Sequence, residues 1–559
     1  MRSPTLSTAS ILALLNLFLP AIHAFHIRNL DLLAQLGLNP ADIPINSISS
    51  TSSLLSQLPG PPPPDLIDAE YVELPIDHFS PNDSYSSPGT FHNRFWVQDD
   101  TYLPGGPVFL FDIGEADAGP YANGYLTNKY SYLRQLMEEF SGVGIVWEHR
   151  YYGNSTPGGF VDINTPAENF RWLTTQQSLA DIVAFAKIFK RINVTEALTP
   201  DQTPWIFIGG SYPGMRAAFM RAMYPETIYA SFASSAPVQA VVDMSVYFEP
   251  VVRGMRKYGY GNCVEDIHAD ILHIDRLLED PKTTAAVKIQ FLGPGAENNT
   301  NGAFAEALTA IFYDWQGAGM ESSLKSVCEH ISTDPETGKR APEGGWAGSK
   351  GVEWTVERFA SWSGWVAVVK GVMNGATCKG RGNGTDTGNE GKGVNCDLGF
   401  FQSTNLGPNQ IVSKFNSLKH QQHICHRQFP DASRDLLPAW PRVDRTNQVF
   451  GGWDIRPSNT YWSGGEFDPW RTLSPLTAEP GVPRPRPFTQ APKCGVDQDK
   501  GDVFGYVLSD AQHAYDFRLN EVGEGEKSRQ FFRTALGKWL ECFRAGGGMR
   551  GRGTVFELT

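Results

Sequence analysis

Ile208-Gly-Gly-Ser-Tyr-Pro-Gly214 is the stretch whose reading decides the fold. It follows the apolar run Trp205-Ile-Phe-Ile208 and precedes Met215-Arg-Ala-Ala-Phe-Met-Arg221, so it reads as a turn from strand to helix. A serine on such a turn is the setting of a nucleophile elbow. The turn lifts the hydroxyl towards a substrate and aims the next backbone N–H at developing negative charge. The neighbours have to be small, because backbone there passes close to both strand and helix. One position departs from the G-x-S-x-G pattern: Pro213 stands two residues after Ser211, and Gly214 follows it. The alternative is a Gly-rich turn with a buried serine.

Outward from the turn, the chain alternates. Pro107–Ile113, Val143–Trp147 and Trp205–Ile208 are short continuous apolar runs, and Ala230–Ser235 is a weaker one. Such runs suit strands covered on both faces. Helical spacing lies between them near 126–140, 174–190 and 214–224, with Leu179, Ile182, Phe185 and Ile188 on one face. The alternation predicts an α/β fold with a parallel sheet. From 241 to 440 the chain reads as a mainly helical insertion. Val264, Ile267, Ile271, Ile274 and Leu278 mark one helix, Phe304, Leu308 and Ile311 a second, and Trp354–Lys370 a third. A Gly-rich polar loop, Lys379–Lys392, interrupts them. Strands return at Asn459–Trp462 and Val503–Leu508, and Phe532, Leu536, Trp539 and Phe543 mark a final helix. The expected organisation is therefore an α/β domain in two pieces, 66–240 and 441–559, split by an insertion at 241–440.

Chain order tests the serine. An α/β-hydrolase presents Ser, then Asp or Glu, then His. His513 is the only histidine after His426, and it lies in a polar loop just past a strand. Between Ser211 and His513 the best-placed acid is Asp468, in Gly464-Gly-Glu-Phe-Asp-Pro-Trp470, again just past a strand; Asp454 and Glu466 are the alternatives. Three loops in the right order at strand ends are more specific than any one of them. Other constellations are weaker. Glu148-His-Arg-Tyr-Tyr152 ends a strand and reads first as a buried structural network. His420, His423, Cys425 and His426 have no second ligand cluster, so no metal is expected. No Gly-rich loop is followed by Lys-Ser/Thr, and no cofactor is expected.

The whole composition sets the compartment. The 559 residues carry 47 basic and 60 acidic side chains, a net −13 without a Lys/Arg block, which argues against nucleic-acid or anionic-membrane partners. Arg2 followed by the apolar Ile11–Phe18 and the small Ala24 predicts a signal peptide over 1–24, well short of the roughly 20 apolar residues of a membrane span. Residues 25–65, ending in Leu58-Pro-Gly-Pro-Pro-Pro-Pro64, read as a propeptide or Pro-rich linker. Five N-x-S/T sequons, at Asn82, Asn154, Asn193, Asn298 and Asn383, are candidate glycosylation sites. An oxidising compartment would pair six of the seven cysteines, which all lie in the C-terminal 300 residues.

Several motifs converge on one family. Gly209-Gly-Ser-Tyr-Pro-Gly-Met215, Glu148-His-Arg-Tyr-Tyr-Gly153 and Gly465-Glu-Phe-Asp-Pro-Trp470 resemble those of the serine peptidases that include lysosomal Pro-X carboxypeptidase, dipeptidyl peptidase II and secreted fungal prolyl endopeptidases. Leu74–Phe79, Asn93–Val97, Cys396–Gln402 and His513–Arg518 extend the likeness, in order, over about 70 to 520. The resemblance implies an α/β-hydrolase domain with a large helical, disulfide-bearing cap insertion, and cleavage beside proline at acid pH. It makes Ser211 the nucleophile, Asp468 the orienting acid and His513 the base. Tyr212 would give one oxyanion N–H and Glu115, in the poorly matching Gly114-Glu115 segment, the second. Met215 and Trp470 match apolar positions of the proline pocket. The expected enzyme is a secreted or vacuolar/lysosomal serine peptidase acting after proline in peptide or protein substrates, most simply as a carboxypeptidase. Endopeptidase and dipeptidyl peptidase readings stay open, with Asp397 and Arg427 as candidate end clamps; so do an esterase on the same fold, an inactive binding protein, and a homodimer.

Overall fold

The sheet begins with three segments that precede the turn: Glu70–Pro75 (β1), Thr90–Gln98 (β2) and Val108–Asp112 (β3). The computed structural model describes residues 66–80, 88–159, 161, 165–372, 399–518 and 523–545. The expected leader and Pro-rich segment, Asn82, Asn383, Cys378, Cys396, Asp397 and the Gly-rich loop all lie outside those residues.

Val143–Trp147 (β4), Trp205–Gly210 (β5), Ala230–Ser234 (β6), Thr460–Gly465 (β7), Arg486–Phe488 (β8) and Asp502–Leu508 (β9) complete nine strands in the order β1-β2-β4-β3-β5-β6-β7-β9-β8. β2 runs antiparallel to β1 and β4, and every other pairing is parallel. This is the expected α/β-hydrolase arrangement. The central strands are enclosed along their whole length because helices cover both faces: every residue of β3, β4, β6 and β7 is buried.

Gly119–Thr127 (α1), Tyr132–Phe140 (α2), Thr175–Ile188 (α3) and Tyr212–Met223 (α4) follow β3, β4 and β5, and Glu524–Ala545 closes the described chain. The single helix expected near 126–140 is in fact two. Asn128 turns the chain between them, its side chain accepting the Tyr130 N–H at 3.0 Å and its carbonyl the Ser131 N–H at 2.8 Å. One core joins Phe109, Ile206, Ile208, Phe232 and Tyr461 of the sheet to Phe532, Leu536 and Trp539 of the last helix. Phe95, Trp147, Phe185 and Trp205 stack on the opposite side.

The strand register lines up the functional end. Gly210 stands opposite Ser234, Ser234 opposite Ser463, and Leu508 opposite Gly465. The loops that leave β5, β6, β7 and β9 therefore leave from one row, at the carboxyl ends of parallel strands, where open α/β sheets place their sites.

Residues 243–372 and 400–430 form a second, helical unit. Phe248–Lys257 (α5), Gly261–Glu279 (α6), Thr284–Leu292 (α7), Asn301–Tyr313 (α8), Ser323–Ser332 (α9), Val352–Ala360 (α10), Trp365–Val372 (α11) and Leu418–Gln428 (α12) are its main helices. The one helix expected over Trp354–Lys370 is broken at Ser361–Gly364, where the Trp362 ring folds so tightly onto Gly364 that a Cβ there would come within 2.2 Å of it. Cys263–Cys328 staples α6 to α9, and Cys425 is disulfide-bonded too. Cys494–Cys542 lies in the sheet unit, on the last helix. No helix among the described residues is long and apolar enough to cross a membrane.

Candidate active site

The turn at Ser211 is strained as an elbow requires. Its φ of 67° and ψ of −131° lie outside the regions that a side chain tolerates easily. The strain is held by its neighbours. The Ser211 N–H donates to the Ser234 carbonyl at 2.9 Å, and its carbonyl accepts the Met215 N–H at 3.0 Å, opening α4. A Cβ on Gly209 would meet the Pro213 carbonyl oxygen at 2.3 Å, and one on Gly214 the Ser234 carbonyl oxygen at 2.5 Å. Gly214 thus supplies the close helix-to-sheet approach, and Pro213 is accommodated at the second helix position, where no intrahelical N–H is needed. Ser211 is only half-buried although Tyr212 to Arg221 of α4, which follow it, are buried.

Asp468 and His513 come together beside it. β7 ends in Gly465, whose absent Cβ would lie 2.2–2.3 Å from the carbonyl oxygens of Gln512 and Ala511, so backbone passes directly against backbone. The Phe467 N–H donates to the Ala511 carbonyl at 2.9 Å. Across this contact His513 Nδ1 lies 2.9 Å from Asp468 Oδ1, which also accepts the Trp470 N–H at 2.9 Å. The carboxylate can only accept, so Nδ1 carries the proton and Nε2 is left as the base. Asp468 is fully enclosed, and His513 Nε2 is buried with no hydrogen bond among the described residues. The loop carrying His513 abuts the elbow: a Cβ on Gly210 would sit 3.3 Å from that of Ala514. Asp454 is exposed and paired with Lys500, and Glu466 accepts the Asp510 N–H, so neither alternative acid meets the histidine.

The turn after β3 reaches the same place. Gly114 has φ +73° and lies so close to Pro213 that a Cβ would come within 2.4 Å of its ring. Asp112 accepts the Gly114 N–H at 3.0 Å and pairs with Arg216 of α4, both wholly buried. Arg216 also donates to the Ser178 carbonyl at 3.0 Å. This pair fastens the Gly114–Glu115 turn to the helix that begins at Tyr212. The first N–H groups of a helix have no intrahelical partner, which is the position Tyr212 occupies.

The phenol of Tyr212 lies 3.0 Å from His149 Nε2, and His149 Nδ1 donates to the Arg150 carbonyl at 2.6 Å. Burial, then the nearby Arg216 charge, hold His149 well below the usual histidine range. The neutral ring therefore accepts from the Tyr212 hydroxyl, whose own pKa burial pushes up to about 12. The rest of the Glu148–Tyr152 run is a closed network. Glu148 takes two bonds from Arg94 and one each from Ser155, Asn154 and Ala118, while Arg150 forks onto Asp181, which also meets His78.

Of the apolar candidates, Trp470 is half-buried with its ring 6.2 Å from the His513 ring, whereas Met215 is 1% exposed inside α4. Arg427 is exposed on α12, and His420 of that helix lies 2.9 Å from Glu306. Among the described residues no group of three or more metal-ligating side chains occurs. Asn154, Asn193 and Asn298 are exposed.

Residues 74–321 match the family described as Serine carboxypeptidase S28. Over 80% of this chain and 63% of the other, the sequence is 28% identical to a probable extracellular serine carboxypeptidase of Arthroderma benhamiae. It is 26% identical to the human thymus-specific serine protease over 72% of this chain and 76% of that one. Human lysosomal Pro-X carboxypeptidase is 33% identical over 37% of this chain and 40% of its own length.

Proposed function

We propose that this chain is a member of the serine carboxypeptidase S28 family and hydrolyses peptide bonds on the carboxyl side of proline by a Ser-His-Asp acyl-enzyme mechanism, most simply as a carboxypeptidase. One observation carries the reading: the 2.9 Å contact of His513 with the buried Asp468, on the loop that abuts a positive-φ serine elbow. Ser211 Oγ attacks the carbonyl carbon while His513 Nε2 takes its proton. The same proton passes to the leaving amine, and water then repeats the sequence on the acyl-enzyme. Asp468 fixes the tautomer and stabilises the imidazolium. In this reading the backbone N–H groups of Tyr212 and Glu115 receive the developing oxyanion, and Trp470 serves as a flat wall for a proline ring.

The half-buried serine at the head of an enclosed helix supports access for a substrate. The disulfides and the leader-like N-terminus support passage through the secretory pathway, with peptides or proteins as substrates.

The test compares wild type with Ser211→Ala on N-blocked Ala-Pro-Phe, free-amine Ala-Pro-anilide, an internal-proline peptide and short acyl esters, between about pH 3 and 8. Release of Phe from the blocked tripeptide, lost in Ser211→Ala, is the expected result. Preference for the anilide or the internal-proline peptide would reassign the end specificity. Cleavage of esters alone would overturn the peptidase reading.

A further inference from the structure

The two serines that end and follow β6, Ser234 and Ser235, touch the serine elbow, the histidine loop and the strand that leads to Asp468. Ser234 accepts the Ser211 N–H on its carbonyl at 2.9 Å and donates its hydroxyl to Asp516 at 2.6 Å. Asp516 lies three residues after His513, and its other oxygen accepts from Ser528 of the last helix at 2.8 Å; Ser528 in turn meets the Tyr461 hydroxyl. Ser235 accepts the N–H of Ala514, the residue next to His513, on its hydroxyl at 2.8 Å. Its own N–H donates to Ser463 of β7, the strand that leads to Asp468, at 2.8 Å. Both serines are wholly buried. Ser235 holds φ at +49° and Ala514 at +46°, conformations that cost energy unless something fixes them.

Two of these bonds, from the Ser211 N–H to Ser234 and from the Ser235 N–H to Ser463, continue the pairing of β6 with its neighbours. The two hydroxyls go beyond it: both bind the loop that carries His513, at Asp516 and at Ala514. The structure assigns Ser234 and Ser235 as positioning residues: a clamp that sets the elbow serine and the histidine loop to one reference point on β6. The assignment rests on the triad reading. Its physical content is that reacting groups must sit within a fraction of an ångström of their attack geometry, and a shift of about 1 Å costs about 100-fold in rate. A hydroxyl removed here lets the histidine loop relax without touching substrate.

The experiment uses Ser234→Ala and Ser235→Gly, the glycine keeping the positive φ while deleting the hydroxyl. Ser231→Ala is the control: Ser231 is a wholly buried serine of the same strand, bonded to Thr460 at 2.9 Å, but at the end away from the triad. Two measurements are made on the folded full chain: the second-order rate of labelling by a fluorophosphonate, and kcat and KM on the best substrate of the panel above. Ser234→Ala and Ser235→Gly are expected to lower labelling and kcat about 10- to 100-fold with KM changed less than about threefold. Ser231→Ala, with a comparable loss of Tm, is expected to stay within about twofold of wild type. The clamp is overturned if either clamp variant labels at the wild-type rate, or if Ser231→Ala reproduces the losses. If one clamp variant does not fold, the other carries the test alone. Failure of the triad itself looks different: wild type would not label, or Ser211→Ala would label as fast.

Discussion

Asp468 makes a single demand on the ring beside it, that the proton stay on Nδ1. Asn at 468 would keep the shape, but one oxygen serves both the Trp470 N–H and His513, so an amide that turns its N–H₂ towards His513 reverses the tautomer and gives up the Trp470 bond. Asp468→Asn should therefore lower kcat about 10³- to 10⁴-fold with Tm little changed, measured on the blocked tripeptide and by thermal melt. Activity within tenfold of wild type would show that another group orients the histidine. At this scale the sequence was most informative where chemistry is tied to order: the turn at Ser211 and the meeting of Asp468 with His513 were legible because each follows a strand in sequence. Ser234, Ser235 and the Asp112–Arg216 pair were not. Small buried serines look like any strand packing, and an ion pair formed over a hundred residues apart leaves no local signal. Met215 shows the converse, since an apolar side chain near the elbow reads equally as pocket wall or as core, and here it is enclosed in α4.

Among the elements, α6 carries a charge pattern of its own. Asp266, Asp270 and Asp275 are all buried on that one helix, and burial raises all three carboxyl pKa values, Asp270 most clearly. Thr355 donates to Asp270 Oδ1 at 2.5 Å, while Oδ2 has no partner among the described residues. A folded-state pKa above the unfolded one means that the folded helix binds more protons between the two values. Its stabilising contribution is full below about pH 3.9 and is lost as pH rises through the folded value. Asp270→Asn cannot titrate, so its Tm should exceed that of wild type by a few degrees near neutrality, the gap closing towards about pH 4. Parallel Tm–pH curves for the two proteins would refute this. Comparing the pair also removes His149 from the question, because a base with a lowered pKa pulls stability the other way, towards higher pH. The strands show how pattern decides legibility. β3, β4, β5 and β9 are built on short apolar runs and could be read directly, while β6, with two serines in five residues, was the weaker signal. β1 alternates exposed Tyr71 and Glu73 with buried Val72 and Leu74 over too few residues to stand out. β8, with Pro487 at its centre, is an exposed edge that no apolar pattern announces.

For the molecule as a whole, the last helix matters more than its position suggests. Trp539 is wholly buried in the main core, donates its indole N–H to the Pro492 carbonyl at 3.1 Å, and has its own carbonyl bonded by Tyr229. Trp539→Ala should destabilise the sheet unit by about 3–5 kcal/mol, read from urea unfolding. A loss below about 1 kcal/mol would mean that the helix is dispensable to the core. The same helix carries Ser528 and Cys542, so the core, the Asp516 network and a disulfide share one element. The two-piece layout was legible because apolar runs resumed after the helical stretch. The pairing of β6 with β7 was not, since it joins Ser231 to Thr460 across the whole helical unit and depends on contacts that no local window contains.

That pairing has a consequence in time. A chain leaves the ribosome from its N-terminus at about 5–20 residues per second, so Ser211 emerges some tens of seconds before Asp468 and His513. Until β7 has docked beside β6, the serine has neither a base nor an acid to orient one. On the proposed mechanism, the nascent chain therefore has no hydrolytic activity until both later strands have joined the sheet.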